Sequence, residues 1–280
     1  AGGQALPLAV DARDEAQLVR AIEDTVAHFG GIDVVVNNAG FLGVTPVANT
    51  STKHFDLMHG LNTRAPLITL REALPHLAER QGQVLNLCPP INLDPGWLGA
   101  FAPYTSTKYG MTLLSLGYAE EVRSKGIQVR TLWPATLIAT AAVGMTAGDA
   151  GLSVSRKPEI MADAAFALLD QRQTFGDQVS WLDEDALRHL GETDFDRYAN
   201  VPENAGRIQR DLAGVKVFYI TLEAGDAVAA ARTPAPRAAA PAAPADAAPA
   251  APADAAPADA AAPAAPADAA APAAPAEEKK

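Results

Sequence analysis

The sequence has little that would serve a disulfide, a metal site or a nucleic-acid surface. Cys88 is the only cysteine in 280 residues, which excludes intrachain disulfides and cysteine-rich metal sites. The five histidines are scattered, and no two have the close spacing of a zinc hydrolase helix. Lysine and arginine total 22 against 33 acidic residues, and the formal net charge is -11. This balance argues against nucleic-acid binding, which relies on clustered basic residues.

Long apolar runs are also missing, and the end of the chain lacks bulky residues. Every apolar stretch meets a proline or a charge before the roughly 18 residues that a membrane span requires. We therefore expect a soluble, cytoplasmic protein. Residues 229–280 consist mostly of alanine and proline, so helix propagation is blocked and nothing large can be buried. This segment is predicted to be a disordered tail.

The rest of the chain alternates between strand-like and helix-like apolar patterns. Strands are predicted at 5–10, 32–36, 83–87, 127–133 and 178–182. Helices are predicted at 14–29, 52–80, 104–124 and 158–171, and a loop is expected at 135–156. Such alternation predicts an α/β fold, a Rossmann-like doubly wound parallel sheet with helices on both faces. Ligands bind such sheets at the carboxyl ends of the strands.

The pair Tyr104 and Lys108 is the first candidate for chemistry. A spacing of four residues at the start of a helix places both side chains on one face. The lysine ammonium would favour the phenolate and lower the tyrosine pKa from about 10 towards the working pH of a general acid/base. A surface Tyr–Lys pair fits the same spacing.

Two asparagine sites complete the set of candidates. Asn37-Asn38-Ala39-Gly40 directly follows the strand IDVVV, although Asn and Gly are also common in plain turns. Asn62 lies in the predicted helix 52–80, where an asparagine is more often solvated or capping. Neither site is specific by itself.

The order and spacing of these sites, together with Gly30-Gly31-Ile32-Asp33, resemble the short-chain dehydrogenase/reductase family over about residues 1–190. The stretches CPPINLDPGW, YTSTKYGM and LWPATLIATAAV are similar to its hydroxysteroid dehydrogenase-like subgroup. The resemblance implies a family domain over 1–190, with an irregular extension over 191–228 before the tail at 229–280. It also implies NAD(P) as cofactor, with NADP favoured.

The resemblance assigns roles to individual residues. Tyr104 would exchange a proton with the substrate oxygen, Lys108 would lower the pKa of Tyr104 and bind the nicotinamide ribose, and Asn62 would hold a water in the proton relay. The cofactor-binding residues it implies are Asp11, Asn37, Ala39, Gly40, Lys108, Pro134 and Thr140. The implied substrate is an apolar, lipid-like alcohol or carbonyl compound, and a homo-oligomer is expected.

One departure from the family pattern concerns a serine that orients the substrate carbonyl. No Ser or Thr occurs from Leu70 through Pro103, and Cys88 takes the place where the subgroup has its serine. A thiol is a weaker hydrogen-bond donor than a hydroxyl, so Cys88→Ser is expected to raise turnover. A small buried cysteine at a strand end is the alternative interpretation.

A second departure concerns the amino end, where no GxxxGxG or GxGxxG motif occurs. The family reaches the segment that opens this chain only after two strands and a glycine-rich turn. We therefore expect a truncated chain whose sheet lacks its first two strands. The strand at 5–10 would then float or repack, or the edge of the strand at 32–36 would stay open.

Two function classes follow from these features. The preferred one is an oxidoreductase that transfers a hydride between NAD(P) and a hydroxyl or carbonyl group. The alternative is a non-catalytic binding or scaffold relative that has lost cofactor binding. The combination of Tyr104, Lys108 and Asn62 at family spacing favours the enzyme.

Overall fold

Four parallel strands form the centre of the computed structural model, which describes residues 2–210 apart from the side chains of residues 96, 97 and 100. The strands are β1 (Val34–Asn37), β2 (Gln83–Asn86), β3 (Gln128–Trp133) and β4 (Ser180–Leu182). They pair in the order β1-β2-β3-β4, with Val35 opposite Val84 and Val84 opposite Val129. The predicted parallel α/β sheet is confirmed.

Helices occupy the connections between these strands. They are α1 (Glu15–Phe29), α2 (Thr52–His59), α3 (Ala65–Arg80), α4 (Pro95–Val122), α5 (Ala141–Ser153), α6 (Glu159–Asp170) and α7 (Asp183–His189). Local chemistry sets the bounds of α1: the Asp14 side chain accepts from the Gln17 N–H, and Gly30 follows with a φ of 79°. A positive φ favours glycine, which has no Cβ to clash. In residues 2–210, no helix is long and apolar enough to cross a membrane.

The core lies on both faces of the sheet because alternate strand residues point to opposite sides. Val84 and Val129 pack with residues of α3 and α4 on one face. Leu85 and Leu132 pack with residues of α6 and α7 on the other. β2 and β3 are therefore buried from both sides, whereas no residue of β1 is fully buried.

The strand predicted at 5–10 is wrong, because these residues form no strand. Val10 instead packs beside Leu18 and Ile68, against α1 and α3. β1 is the edge of the described sheet, and its Val34 and Val36 are 39% and 51% exposed. Most residues of this segment are exposed, Leu8 to 38%, so its packing on the helices rests on Val10.

The single helix predicted at 52–80 is also wrong in detail. A π-helical turn at Gly60–Arg64 separates α2 from α3. Pro66 has no N–H to donate to the Asn62 carbonyl, as an uninterrupted α-helix would require. Such π-turns are frequently found at functional sites.

Two further corrections concern the segments on either side of β3. The helix predicted at 104–124 begins earlier, within α4, which is kinked at Phe101 (φ -143°, ψ 38°). The loop predicted at 135–156 contains α5, whose apolar and glycine-rich sequence gave no clear helical periodicity. Residues 191–210, within the predicted irregular extension, hold two 3₁₀ turns at Asp196–Tyr198 and Pro202–Arg207. The tail predicted at 229–280 lies outside the described residues.

Arg130 joins the centre of the sheet to the end of α6. It is 4% exposed, and its guanidinium donates to the Leu168, Arg172 and Gly176 carbonyls at 3.0, 2.7 and 3.2 Å. Burial lowers the pKa of Arg130 to about 10. The cation thus satisfies carbonyls at and beyond a helix carboxyl end, where positive charge is favoured.

Replacing Arg130 by Met is expected to lower the free energy of unfolding by about 3 kcal/mol, because buried carbonyls lose their donors. Denaturant unfolding can be followed by the fluorescence of Trp181, whose ring lies 5.0 Å from that of Phe175. Arg20→Met, at an exposed position in α1, is the control and should change stability by less than about 0.5 kcal/mol. Equal stability of the two variants would contradict this role of Arg130.

Candidate active site

Tyr104 and Lys108 lie on α4 and line one cavity at the carboxyl ends of the strands. Lys108 is 6% exposed, and its Nζ donates to the Leu87 carbonyl at 2.9 Å. Burial lowers the pKa of Lys108. A nearly buried ammonium acts strongly on neighbouring groups because little water screens it. The Tyr104 and Lys108 side chains thus line the same cavity.

Asn62 and Gly40 lie directly beside this pair. Asn62 is fully buried: its Oδ1 accepts from the Phe41 N–H at 2.9 Å, and its Nδ2 donates to the Phe41 carbonyl and to Thr107 Oγ1, both at 3.0 Å. A Cβ on Gly40 would lie 2.8 Å from Asn62 Oδ1 and 3.4 Å from Lys108 Nζ. Position 40 therefore favours glycine, because a Cβ there would displace the buried Asn62 amide.

Asn37 has a supporting position at the end of β1. Its Nδ2 donates to Asn86 Oδ1 at 2.8 Å, and its Oδ1 accepts from the Thr69 hydroxyl at 2.7 Å. Asn86 in turn donates to the Ser115 hydroxyl at 2.7 Å. This chain of hydrogen bonds ties the ends of β1 and β2 to α3 and α4, so the Asn37 side chain holds the strand end in place.

The remaining predicted cofactor residues fall into two regions. Pro134 and Thr140 line the same cavity as Tyr104. Ala39 is exposed, and Asp11 lies in a second, charged cavity with Arg13, whose hydrogen bonds lower the pKa of the Asp11 carboxyl to about 2. The structure thus places Pro134 and Thr140 in one cavity with Tyr104 and Lys108, and Asp11 in another.

The main cavity has a volume of about 830 Å³ and a largely apolar wall. Lys108 is the only charged residue among the described residues that line it. The apolar wall includes Leu42, Val44, Phe101, Leu137, Ile138, Val143 and Met161. Asn38, Thr105 and Thr136 add polar atoms. Asn38 belongs to the motif at the end of β1, whereas the sequence interpretation missed the two threonines because single Thr residues carry no distinctive spacing. The size and lining suit a small, mainly apolar ligand.

Cys88 is fully buried beneath this wall. Its Sγ lies 3.9 Å from the Asn86 carbonyl and 3.9 Å from Ser115 Oγ, and burial raises the pKa of the thiol to about 11. Its neighbours Leu87 and Pro89 form the cavity wall at this strand end. The role of Cys88 as the serine's stand-in stays a prediction. Higher turnover of Cys88→Ser would support it, and unchanged turnover would fit a packing role.

Asp183, at the end of β4, is a site-adjacent acid that the sequence interpretation missed. It is 0% exposed, and its Oδ1 accepts from the N–H groups of Ala135 and Glu184 at 2.8 and 2.7 Å. Burial raises the pKa of Asp183 to about 6, although the hydrogen bonds from the Ala135 and Glu184 N–H groups act against this rise. The Glu184 carboxylate adds to the rise. Its place directly after a predicted strand was the available signal.

This raised pKa predicts how stability depends on pH. The folded pKa of about 6 exceeds the ordinary value of 3.8, so the contribution of Asp183 to stability is fully present below pH 3.8 and is lost as the pH rises through 6. Between about pH 4 and 7, the free energy of unfolding of Asp183→Asn should therefore rise by about 2 kcal/mol relative to the wild type. Urea unfolding across this range measures the difference. Asp170→Asn, an exposed position in α6, should show no such trend.

Comparisons of this chain with known proteins all point to one family. A sequence profile described as short chain dehydrogenase matches residues 1–148. Hydroxysteroid dehydrogenase-like protein 2 from Danio rerio is 46% identical over 203 residues, which cover 72% of this chain and 48% of that protein. The protein of the same name from Homo sapiens is 42% identical over 203 residues, with the same coverage. The chain spans about half the length of these curated relatives.

Two crystal structures match over most of their length. A Xanthomonas campestris protein with a provisional dehydrogenase name is 41% identical, with a TM-score of 0.70, over 76% of this chain and 77% of that chain. A short chain dehydrogenase from Mycobacterium thermoresistibile is 42% identical, with a TM-score of 0.69, over 76% of this chain and 75% of that chain.

Proposed function

Because this chain belongs to the short chain dehydrogenase family, we propose that it transfers a hydride between NAD(P) and a hydroxyl or carbonyl group of an apolar, lipid-like substrate, with Tyr104 as general acid/base. One observation carries the proposal. Tyr104 and the nearly buried Lys108 line an apolar cavity in which Lys108 is the only charged group among the described lining residues.

The proton transfer is assigned to Tyr104. In carbonyl reduction the phenol donates its proton to the substrate oxygen, and in alcohol oxidation the phenolate accepts it. The ammonium of Lys108 stabilises the phenolate and brings its pKa towards the working pH. The Asn62 side chain is occupied by Phe41 and Thr107, whereas Pro66, four residues after Asn62, has no N–H to donate to the Asn62 main-chain carbonyl. That carbonyl is the proposed holder of the relay water.

The residues present fit the nicotinamide end of NAD(P). Gly40 provides a close approach that a Cβ would fill, and Lys108, Pro134 and Thr140 line the adjoining cavity. Lys108 would bind the ribose, while Pro134 and Thr140 would cover the ring. When bound, the cofactor supplies the hydride acceptor or donor. The apolar wall excludes water from the reacting atoms, which strengthens the electrostatic effect of Lys108.

Cofactor binding is tested by fluorescence titration with NADH and with NADPH, in a preparation that includes any natural sequence preceding Ala1. An enhanced nicotinamide signal with saturation is expected, with NADPH binding more tightly. Failure of both cofactors to bind would overturn the oxidoreductase proposal and favour a non-catalytic binding role.

The apolar substrate class is tested with primary alcohols of increasing chain length. Each added CH₂ that enters the cavity should raise kcat/KM by about fourfold, as expected from roughly 0.8 kcal/mol per buried CH₂. The increase should level off once the cavity is filled. Values of kcat/KM that are insensitive to chain length would contradict an apolar substrate.

A homo-oligomer and a cytoplasmic location are also part of the proposal. Leu67 on α3 and Leu113 on α4 are 46% and 61% exposed, which supports contacts between copies along these two long helices. Sedimentation should show an oligomer, and Leu113→Glu should shift it towards the monomer. An unchanged state in that variant would place the contact elsewhere.

A further inference from the structure

The segment that follows β3 forms one wall of the cavity and is held by main-chain hydrogen bonds. Ala139 N–H donates to the Arg156 carbonyl, and Arg156 N–H donates to the Leu137 carbonyl, both at 2.8 Å. Leu137 N–H donates to the Gln209 carbonyl at 3.0 Å. Residues 134–140, here called the wall segment, are thus held in place by residues far away in the sequence.

Asp183 holds the beginning of the wall segment. Its Oδ1 accepts from the Ala135 N–H at 2.8 Å, immediately after Pro134. The second oxygen, Oδ2, is buried and has no hydrogen-bond partner among the described residues. A buried carboxylate with an unpaired oxygen lowers stability, so packing alone does not explain an acid here.

Glu184 holds the rest of the wall segment through two arginines. It is 3% exposed and forms an ion pair with Arg156, whose backbone pairs with the segment at residues 137 and 139. It also pairs with Arg210 at 3.3 Å, and the Arg210 backbone forms a bridge with Thr136. A third arginine, Arg188, contacts the same Oε2 at 3.3 Å from within α7.

We propose that Asp183 and Glu184 are positioning residues, which together fix the wall segment where it must lie to cover the nicotinamide and shape the substrate cavity. The inference rests on the proposed function, because the wall segment can cover a nicotinamide only if the protein binds NAD(P). Asp183 acts directly on the backbone, and Glu184 acts through Arg156 and Arg210. Neither acid lines the cavity, so neither touches the reacting atoms.

The contacts through which Asp183 and Glu184 hold the wall segment are here called the clamp. Amide hydrogen exchange tests the clamp in a way that does not depend on enzymatic activity. In Asp183→Ala, exchange of the amides at 135–139 should be about tenfold faster than in the wild type, as loss of one buried hydrogen bond implies. Asp183→Asn keeps the Oδ1 acceptor and should restore most of the protection. Unchanged exchange at 135–139, or an equal acceleration throughout the chain, would overturn the inference.

A milder pair of variants covers the case in which Asp183→Ala does not fold. Arg210→Gln removes the arm of Glu184 that reaches Thr136, whereas Arg188→Gln removes an arm that stays within α7. Both side chains are about half exposed, at 56% and 51%. Faster exchange at 135–139 is expected only in Arg210→Gln. Equal behaviour of the two variants would overturn the role of Glu184.

Kinetics then connects the clamp to the site. Asp183→Ala should raise KM for the cofactor by about tenfold and lower kcat by less than threefold, because the clamp positions the wall but takes no part in proton transfer. A tenfold loss in kcat without a change in the KM for the cofactor would contradict a positioning role for Asp183. If the chain binds no NAD(P), the exchange results still decide whether the clamp exists, so failure of the clamp and failure of the proposed function can be told apart.

Discussion

Replacing Tyr104 by Phe is expected to lower kcat by about a thousandfold, within the range that a general acid/base contributes. The substitution removes the phenolic O–H and keeps the ring that forms part of the cavity wall. Binding of NADPH should stay within about threefold of the wild type, because the hydroxyl acts mainly in the transition state. Steady-state kinetics and fluorescence titration measure the two effects.

Tyr118→Phe is the matched control for this prediction. Tyr118 is on the same helix, and its hydroxyl donates to the Leu70 carbonyl at 3.1 Å, on the face that packs against α3. Its removal should leave kcat within about threefold. A Tyr104→Phe variant that retains wild-type turnover would show that another group exchanges the proton.

Replacing Lys108 by Met should lower kcat by about a hundredfold near neutral pH and shift the pH profile. The ammonium favours the phenolate of Tyr104, so its removal lets the tyrosine pKa rise towards its ordinary value near 10. Alcohol oxidation needs the phenolate. The rise of kcat/KM with pH should therefore move to higher pH by about one to three units.

The pH profile separates this electrostatic role from a structural one. Lys108 also donates to the Leu87 carbonyl, so its loss could disturb the end of β2 at every pH. Partial recovery of activity at high pH supports the electrostatic role, and a uniform loss across the profile would refute it. Lys125→Met, in the exposed turn after α4, should leave the profile unchanged.

Local patterns in the sequence predicted most of the sheet. The apolar runs at 32–36, 83–87 and 127–133 became β1, β2 and β3. Continuous apolar runs favour strands buried on both faces, which holds for β2 and β3, whereas β1 lies at the edge of the described sheet and is partly exposed. The helix predicted at 14–29 was confirmed, since Asp14 and Gly30 terminate it through contacts within a few residues. Both kinds of signal depend on near neighbours along the chain.

The errors occur where a segment's partner lies far away in sequence. The run at 5–10 has strand-like composition, but it forms no strand, and its Val10 packs on α1 and α3. The helix at 52–80 is interrupted where Asn62 reaches Phe41 and Thr107, 21 and 45 positions away. Spacing along one helix reports none of these contacts.

The candidate site divides in the same way. The sequence by itself determined that Tyr104 and Lys108 share a helix face and that polar residues follow the strands, because helical periodicity and strand ends are local properties. Only the tertiary structure decided that the Cys88 thiol packs beside Ser115, and that Asp183 reaches Ala135, 48 positions before it. Such contacts depend on how distant segments fold onto one another, and no local pattern encodes them.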